Sequence, residues 1–227
     1  MSDAQPDVRA VFERGTHPFM GLELLVAPGA LIPRAETELL GGEAVRLLQA
    51  LGHAASVIDV CCGSGNLGCA AAVRVPSATV YSTDLTPSCA ELARKNVAHL
   101  GLTGRVHVFQ GDLFEALKPS LPAGGVDMII CNPPYISTGK LESDRAALLE
   151  HEPREAFEGG PYGLAIHQRV IKEALALLKP GGHLLFEFGL GQERQMKALF
   201  DRSRAYQGIR FITNATGIAR VVVAVKP

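Results

Sequence analysis

The strongest constraint on the fold of this chain is an apolar run that stops at two prolines. The run Val126-Asp127-Met128-Ile129-Ile130-Cys131 is followed directly by Asn132-Pro133-Pro134-Tyr135. A short apolar run bounded by turn residues is typical of a strand buried in a parallel sheet. Since the prolines lack N–H donors and keep the preceding residues extended, the strand is expected to end at Cys131.

Asn132 and Tyr135 are therefore predicted to lie at the carboxyl end of a strand, which is where open α/β sheets bind their ligands. The alternative is a purely structural turn, because Asn-Pro often begins turns. The segments around this corner distinguish the two interpretations.

Length and composition indicate one globular domain with a short N-terminal extension. A chain of 227 residues with 47% hydrophobic residues can bury a full core. We expect residues 1–34 to form a loop or short hairpin and residues 35–227 to form the main domain. With a net charge of -1 and a pI of about 6.7, the chain has no overall positive charge that would attract nucleic acid or an anionic membrane.

No signal peptide, membrane span or metal site is expected from the sequence. The N-terminus is polar and no run approaches the roughly 18 apolar residues of a membrane span, so we expect a cytoplasmic protein. Five cysteines without a CxxC pair favour buried free thiols over disulfides or zinc. The histidines show no ligand spacing, and only His151, beside Glu152, is a candidate for a functional role.

A glycine-rich turn follows the first predicted central strand. Ser56–Val60 reads as a strand, Cys61–Gly68 as a loop and Cys69–Val73 as a helix of small residues. This order forms a nucleotide-binding unit, because glycine lets the backbone approach a ligand and the helix N-terminus offers unpaired N–H groups. Gly63-x-Gly65-x-x-Gly68 also matches the dinucleotide fingerprint. A tight strand-to-helix turn without a ligand is the alternative.

Carboxylates end the next two predicted strands. Thr79–Asp84 ends at about the distance downstream at which an acidic residue accepts hydrogen bonds from ribose hydroxyls, and Val106–Asp112 ends in a second carboxylate. Further strands are predicted at 183–188, 209–213 and 218–225, and helices at 34–51, 86–100, 163–178 and 192–200. The alternation predicts an α/β fold with a doubly wound, seven-stranded, mostly parallel sheet and a C-terminal antiparallel strand.

Residues 136–160 form a long segment of mixed charge directly after the proline corner. A loop of this length that follows a strand end is usually functional or mobile, so it is a candidate lid over a binding site. A solvated surface excursion is the alternative interpretation.

Several of these motifs together resemble one methyltransferase family. The chain is similar to the HemK/PrmC family of protein glutamine-amide methyltransferases in Leu31-Ile32-Pro33-Arg34-x-Glu36-Thr37-Glu38, the glycine loop, Gly111-Asp112-Leu113-Phe114, Asn132-Pro133-Pro134-Tyr135, Gly163-Leu164 and Glu187-Phe188-Gly189. The similarity runs from about Phe19 to Val225. It implies a Rossmann-like class I methyltransferase fold, S-adenosylmethionine (SAM) as the cofactor and a planar nitrogen as the methyl acceptor.

The resemblance implies two groups of site residues and no metal. The cofactor-binding group comprises Asp59, Cys61, Cys62, Gly63, Ser64, Gly65, Asp84, Leu85, Asp112, Leu113 and Asn132. The substrate-binding group comprises Arg34, Glu36, Asn132, Pro133, Pro134 and Tyr135, of which Asn132, Pro133 and Tyr135 are the expected catalytic residues. Asp84 would accept hydrogen bonds from ribose hydroxyls, and Asp112 with Leu113 would border the adenine.

The chemistry of methyl transfer supports a role for the proline corner. Transfer from a sulfonium sulfur needs a nucleophile lone pair held in line, so catalysis consists mainly of positioning. A planar amide or exocyclic amine is oriented by groups that accept its N–H bonds. Asn132 offers a side-chain carbonyl, Pro133 a backbone carbonyl and Tyr135 a ring face for stacking, and no side-chain base is predicted.

Three features depart from the family pattern. Cys61 stands at the position of the first loop glycine, so the turn must tolerate a thiol side chain or differ slightly. Leu113 stands where tryptophan is common, which would weaken stacking on adenine. Only about 30 residues precede the Ile32-Pro33-Arg34 segment, so the family's N-terminal helical recognition domain is expected to be missing.

The preferred acceptor is a glutamine side-chain amide of a protein such as a peptide chain release factor. The missing recognition domain favours the alternative of a small-molecule amide, amine or guanidine. An N6-adenine acceptor in nucleic acid is less favoured, because near-neutral charge does not predict a phosphate-binding surface. An NAD-dependent dehydrogenase would leave the segment 132–135 unexplained, and a SAM-binding partner subunit without catalysis would not need Asn132 and Tyr135.

Overall fold

The computed structural model describes residues 7–143, 149 and 152–227, which form a seven-stranded sheet flanked by helices and a two-stranded hairpin. The helices are α1 Val8–Arg14, α2 Glu38–Ala50, α3 Asn66–Arg74, α4 Pro87–His99, α5 Thr138–Ser143, α6 Ala165–Ala174 and α7 Glu193–Ser203. The hairpin strands are β1 Thr16–Phe19 and β2 Leu22–Leu25. The sheet strands are β3 Ser56–Val60, β4 Thr79–Asp84, β5 Val106–Gln110, β6 Val126–Cys131, β7 Leu178–Glu187, β8 Gln207–Thr213 and β9 Ala219–Val225. The predicted α/β fold is confirmed.

The strands of the sheet lie in the order β5-β4-β3-β6-β7-β9-β8. Neighbours from β5 to β7 are parallel, whereas β9 runs antiparallel to both β7 and β8. The chain builds outward from β3 to β5 and then continues with β6 on the other side of β3. The strand order therefore reverses between β3 and β6, and the carboxyl ends of these strands border the crevice in which such sheets bind ligands.

Apolar helices cover both faces of the sheet. On one face, Leu48 of α2 and Val97 of α4 belong to the same core cluster as Ile130 of β6. On the other face, Val170 of α6 packs in a cluster with Ile129 of β6. Since successive residues of a strand point to opposite faces, β6 is buried at all six positions. Five of these residues are apolar, and the sixth, Asp127, is paired with Lys179 and Ser56.

The N-terminal segment contains a helix in addition to the hairpin. Asp7 Oδ1 accepts a hydrogen bond from Ala10 N at 3.2 Å and caps α1, which ends at Gly15 with a left-handed φ of 75°. The sequence prediction of a loop or short hairpin missed α1, because a helix of seven residues carries little periodicity. Phe19 and Leu24 of the hairpin are buried in the core cluster under α2 and α3.

Strand β7 begins earlier than the sequence predicts. The sequence predicts a helix that continues to Leu178 and is stopped by Pro180-Gly181-Gly182. In the structure, α6 ends at Ala174 and β7 already starts at Leu178. The pairing of β7 with β6 begins at Leu178 and resumes at His183, so the Pro-Gly-Gly segment bulges between the two pairings. Proline and glycine are common both at helix ends and in β-bulges. Here the segment forms a bulge, because β7 pairs with β6 on both sides of it.

The segment that we predicted as a lid contains α5 and a short 3₁₀ helix at Arg154–Ala156. Ile136 and Glu158 form an isolated bridge, so the segment returns to the carboxyl end of β6. His151 lies outside the described residues. Among the residues that are described, no helix is long and apolar enough to cross a bilayer, and no group of three or more histidine, cysteine or acidic residues could hold a metal ion.

Candidate functional site

Two clefts open at the carboxyl edge of the sheet and meet at Asn132. The glycine-loop cleft lies between the turn after β3 and the ends of β4 and β5. The proline-corner cleft lies between the segment after β6, the end of β7 and the start of β9. The two clefts share the lining residues Leu31, Arg34, Asn132 and Ala156.

Asp84 organises the turn at the floor of the glycine-loop cleft. Its Oδ2 accepts a hydrogen bond from Gly63 N at 2.9 Å, and its Oδ1 accepts one from Thr86 N at 3.0 Å. One lone pair of Oδ2 is left for a ligand hydroxyl. No atom lies within 4 Å of the place where a Cβ of Gly63 would stand, so the loop backbone borders open space.

Asp59 and Gly65 lie behind this cleft. Asp59 is fully buried in β3, and its Oδ2 accepts a hydrogen bond from Gly68 N at 2.9 Å. Burial raises the pKa of Asp59 to about 7, and the Asp84 carboxylate adds to the rise. Gly65 has a φ of 78°, and a Cβ there would come within 3.1 Å of Ala93 Cβ. Asp59 and Gly65 therefore support the loop from behind and do not line the cleft. The other nine predicted cofactor-binding residues line it.

Two non-glycine residues of the glycine-loop cleft have left-handed backbone conformations. Cys61 has a φ of 59° and Leu113 a φ of 48°. Glycine adopts this conformation without strain. For a residue with a side chain, such as Cys61, the left-handed conformation costs on the order of 1–3 kcal/mol. The neighbouring Asp112 accepts a hydrogen bond from Arg169 Nη1 at 3.0 Å through Oδ1, so α6 helps to position the part of the cleft that follows β5.

The residues of the glycine-loop cleft fit SAM. Leu113 and Leu85, which is 59% exposed, offer apolar surfaces for an adenine ring. Asp84 offers the acceptor that a ribose diol needs, and the first turn of α3 offers N–H groups for a carboxylate.

Asn132 stands at the wall between the two clefts with one amide N–H already engaged. Asn132 Nδ2 donates a hydrogen bond to Thr37 Oγ1 at 3.1 Å. The Oδ1 atom accepts no hydrogen bond from the described residues, so it is left for a ligand together with the second N–H of Nδ2. None of the described residues donates a hydrogen bond to the carbonyl of Pro133, because the proline corner takes this carbonyl out of the sheet.

The structure divides the predicted substrate residues between the clefts. Those that line the proline-corner cleft are Arg34, Glu36, Asn132, Pro133 and Tyr135. Pro134 instead lines the glycine-loop cleft, because successive residues of an extended corner point in opposite directions.

A buried charge network surrounds Tyr135. Tyr135 Oη donates a hydrogen bond to Glu187 Oε1 at 3.1 Å and accepts one from Arg220 Nη2 at 3.2 Å. The Arg220 guanidinium also lies 5.8 Å from the centroid of the tyrosine ring, over one of the faces expected for stacking. Burial raises the pKa of Tyr135, and the Glu187 carboxylate adds to the rise. The hydroxyl therefore stays protonated and acts as a donor.

Glu187 is the most buried acid of the proline-corner cleft, with 1% exposure. Burial raises its pKa to about 7, while hydrogen bonding by Thr37 and the charge of Arg220 act in the opposite direction. Its second oxygen, Oε2, is buried without a donor in ordinary hydrogen-bond geometry among the described residues.

Glycines let the lid segment approach the backbone of the proline corner. A Cβ at Gly163 would lie 2.2 Å from Tyr135 O, and a Cβ at Gly159 would lie 2.6 Å from Pro134 O. Any side chain at these two positions would push the segment away from the corner. Close packing therefore explains the glycine of the Gly163-Leu164 motif and Gly159.

A buried ion pair joins the lid segment to the segment before α2. Arg34 forms a salt bridge with Glu152, and Glu152 Oε1 also accepts a hydrogen bond from Ile32 N at 2.9 Å. Arg34 lines both clefts, so this pair fixes the wall that they share.

Three residues at the site were not predicted from the sequence, namely Thr37, Asn96 and Glu187. Asn96 Oδ1 accepts a hydrogen bond from Leu25 N at 2.7 Å and its Nδ2 donates one to Ser64 O at 2.9 Å, so it ties the hairpin to the glycine loop. Thr37 and Glu187 stand inside motifs that carry the family resemblance. A lone acid at the end of an apolar strand is the one signal that could have singled out Glu187.

The chain is similar to known methyltransferases. Residues 42–161 match the family model described as Methyltransferase small domain. The chain is 39% identical over 189 residues to a release factor glutamine methyltransferase of Geobacter sulfurreducens, covering 83% of this chain and 63% of that protein. It is 34% identical over 209 residues to a release factor glutamine methyltransferase of Gloeobacter violaceus, covering 92% and 71%.

A relative with a different substrate is similar at the same level. A 4-amino-L-phenylalanine/4-methylamino-L-phenylalanine methyltransferase of Streptomyces pristinaespiralis is 37% identical over 186 residues, covering 80% of this chain and 61% of that protein. The fold is shared with the crystal structure of a release factor-specific protein-(glutamine-N5) methyltransferase from Alicyclobacillus acidocaldarius, with a TM-score of 0.52, 24% identity and coverage of 88% and 98%.

The chain spans 63% of the length of the Geobacter sulfurreducens relative and 71% of the Gloeobacter violaceus relative. The matching segments include the glycine loop and the proline corner. From its motifs, its fold and these relatives, the chain belongs to the HemK/PrmC family of SAM-dependent methyltransferases.

Proposed function

We propose that this chain transfers a methyl group from SAM to the side-chain amide nitrogen of a glutamine, and that the glutamine belongs to a peptide chain release factor. The observation that carries the proposal is the position of Asn132 between two clefts, with one N–H of its amide donated to Thr37 and its carbonyl left for an acceptor. The names of two relatives, at 39% and 34% identity, support the release factor as the acceptor.

The residues of the proline corner supply orientation. When bound, SAM supplies an activated methyl group on a sulfonium sulfur. Asn132 Oδ1 and Pro133 O accept the two N–H bonds of the acceptor amide, which turns the nitrogen lone pair toward the glycine-loop cleft. The nitrogen would thereby be held in line with the methyl group that SAM would supply, the sulfur would keep the electron pair of the broken carbon–sulfur bond, and the proton lost by the nitrogen would pass to water. Positioning of this kind supplies most of the catalysis.

The mouth of the proline-corner cleft supports a large acceptor. Tyr162 is 83% exposed and Leu190 is 67% exposed, and both side chains line this cleft. Large apolar side chains exposed beside a site are typical of surfaces that contact another macromolecule. A protein loop that inserts its glutamine between them would cover both.

The test is transfer of labelled methyl from SAM to a purified release factor, followed by mass spectrometry of the labelled residue. Wild type, Asn132→Ala and Lys197→Ala are compared, since Lys197 is exposed on α7 and pairs with Asp201 on the same helix. We expect label on a glutamine, a loss of at least about 100-fold for Asn132→Ala and no loss for Lys197→Ala. An unlabelled release factor, or an Asn132→Ala variant with the wild-type rate, would contradict the proposal.

A free amino acid with an aromatic amine is a second candidate acceptor. The relative from Streptomyces pristinaespiralis supports it by name. Glu36, Glu187 and Arg220 also line the proline-corner cleft together, and such charges could pair with the ammonium and carboxylate of an amino acid. A kcat/KM that is higher for 4-amino-L-phenylalanine than for the release factor in the same assay would replace the first proposal by this one.

A further inference from the structure

Tyr135 is held by residues that lie far from it in the sequence. Its hydroxyl group donates a hydrogen bond to Glu187 Oε1 at 3.1 Å and accepts one from Arg220 Nη2 at 3.2 Å. Its backbone carbonyl accepts a hydrogen bond from Gln192 Nε2 at 3.0 Å. Its ring packs against Gly189, where a Cβ would come within 3.0 Å of Tyr135 Cδ2. The hydroxyl, the ring edge and the backbone of Tyr135 are therefore all fixed from outside the proline corner.

Gln192 connects the proline corner to the end of β7. It is the residue before α7, and it lines the proline-corner cleft. While its Nε2 donates to Tyr135 O, its Oε1 accepts a hydrogen bond from Gly189 N at 2.8 Å. A Cβ at Gly163 would lie 2.9 Å from Gln192 Nε2, so this glycine leaves room for the side chain. Both ends of the Gln192 amide are thus used, and they fix the backbone of Tyr135 relative to β7.

Arg220 reaches the same tyrosine from β9. Phe188 N donates a hydrogen bond to Arg220 O at 3.0 Å, which aligns this part of β9 with the end of β7. The Arg220 side chain is 15% exposed, and its Nη2 lies 3.7 Å from Glu187 Oε1 and 3.9 Å from Glu36 Oε1. The contacts with the tyrosine hydroxyl and with both acids therefore go through one nitrogen atom. A phenol can accept from this nitrogen and donate to a carboxylate at the same time, so the hydroxyl is held between them.

We propose that Gln192 and Arg220 are positioning residues for Tyr135, which fix its ring as the wall of the proline-corner cleft against which the planar acceptor amide lies. The proposal rests on the proposed function, in which Asn132 and Pro133 accept the N–H bonds of that amide. Those two hydrogen bonds allow the amide to hinge about the line between their acceptors, and a fixed ring stops this motion. In-line transfer tolerates little misplacement, since a shift of about 1 Å can lower a rate about 100-fold.

The two positioning residues belong to a part of the chain that is separate from the glycine-loop cleft. Among the described residues that line that cleft, none follows Ile166 in the sequence. Substitution of Gln192 or Arg220 should therefore slow methyl transfer and leave the Kd for SAM unchanged.

The first experiment compares Arg220→Met with Arg220→Lys in single-turnover methyl transfer to the release factor. Both new side chains are unbranched, but only lysine carries a charged nitrogen that can replace Nη2. We expect Arg220→Met to lower the rate about 10- to 100-fold, as small misplacements do, and Arg220→Lys to stay within about fivefold of wild type. A lysine variant as slow as the methionine variant, or a methionine variant with the wild-type rate, would overturn the role of Arg220.

The same substitution in a Tyr135→Phe background separates positioning from a general loss of stability. Phenylalanine keeps the ring but removes the hydroxyl group through which Arg220 acts. Arg220→Met should therefore lower the rate of Tyr135→Phe by no more than about threefold, because residues that act through a shared group are not additive. Additive losses of rate would show that Arg220 acts on another group.

The second experiment uses Gln192→Glu. Glutamate keeps the oxygen that accepts from Gly189 N, but it replaces the donor to Tyr135 O by a second oxygen. We expect a rate about 10-fold below wild type. Gln207→Glu is the matched control, since Gln207 is exposed on β8 and lines neither cleft. A wild-type rate in Gln192→Glu would remove Gln192 from the proposal.

A readout that does not need an acceptor separates this inference from the proposed function. The chain contains four tyrosines, and the ¹⁹F NMR signal of Tyr135 in fluorotyrosine-labelled protein can be assigned by its loss in Tyr135→Phe. Arg220→Met and Gln192→Glu should shift this signal, whereas Gln207→Glu should not. An unchanged signal in Arg220→Met and Gln192→Glu would refute the positioning role, even if release factor methylation is established. Shifted signals together with an unlabelled release factor would refute only the acceptor.

Discussion

The glycine-loop cleft and the proline-corner cleft share a wall, but they are built in different ways. The first is formed where three parallel strands end side by side, and its floor is the backbone of the glycine turn, held by the Asp84 carboxylate. The second collects charged and polar side chains from four separate segments, represented by Glu36, Tyr135, Glu187 and Arg220. A site made from backbone tolerates changes of side chain, as Cys61 illustrates, whereas a site made from side chains depends on each of them.

Because the two clefts are built differently, substitutions in them should have different consequences. Changes in the glycine-loop cleft should alter the affinity for SAM and leave the acceptor untouched. Changes in the proline-corner cleft should alter the rate, the acceptor KM or the pH dependence and leave the affinity for SAM untouched. Substitutions in each cleft test whether the affinity for SAM and the kinetics with the acceptor depend on separate residues.

The largest effect is expected for Asp84→Ala. Loss of the carboxylate removes charge-assisted hydrogen bonds to the loop and to a ribose hydroxyl, which contribute about 1.5–3 kcal/mol each. The Kd for SAM, measured by calorimetry, should rise about 10- to 100-fold, while the acceptor KM at saturating SAM stays the same. Asp201→Ala, on the exposed face of α7, is the control. A main effect on the acceptor KM would break the division between the clefts.

The proline-corner side should be more sensitive to acid because of His167. This residue is fully buried on α6, and its Nε2 shares a hydrogen bond with Glu187 O at 3.0 Å. Burial lowers the pKa of His167 to about 4, below the value of 6.5 in the unfolded chain. Below pH 6.5 the unfolded chain therefore binds a proton that the native state does not, so stability falls as pH drops from 6.5 toward 4.

Between pH 7 and pH 5 this single group should lower the free energy of unfolding by about 2 kcal/mol. Urea denaturation at both pH values measures the change. His167→Gln should reduce the dependence on pH by that amount, whereas replacement of the exposed His99 by Gln should not. Equal pH dependence in wild type and His167→Gln would show that the acid sensitivity has another origin.

A smaller effect is expected at the mouth of the proline-corner cleft. Tyr162→Ser and Leu190→Ser each remove apolar surface from a contact with a protein acceptor, which should raise the KM for the release factor about 10-fold. The KM for a short glutamine peptide and the Kd for SAM should not change. Ile218→Ser is a matched control, since Ile218 is also exposed but lines neither cleft. Equal losses with the peptide would mean that these side chains act on the cleft itself.

The smallest effect is expected for Cys61→Gly. The left-handed φ of 59° at this position strains a cysteine but not a glycine, while glycine adds freedom to the unfolded chain. The two effects nearly cancel, so the free energy of unfolding should rise by no more than about 1 kcal/mol. The Kd for SAM should stay within about twofold, because the loop offers backbone groups. A clear loss of stability would show that the thiol makes contacts that outweigh the strain.

Much of the fold could be predicted because its signals are local. The apolar run of β6, the glycine turn after β3 and the carboxylate at the end of β4 each appear within a few residues. The expectations failed where the local signal was weak or ambiguous. Helix α1 is too short for a clear period, and Pro180-Gly181-Gly182 suits a helix end as well as the bulge that β7 contains.

The ends of β3, β4 and β6, the glycine turn and the proline corner follow from the sequence alone, because each depends on the conformational limits of a few adjacent residues. Which side chains meet there depends on how the chain packs in three dimensions. Asn132 bonds to Thr37 across 95 positions and Arg220 to Tyr135 across 85, and hydrogen bonds between such distant residues leave no pattern in the sequence. The buried acid Glu187 acquires its raised pKa from that packing alone, since burial is a property of the folded chain.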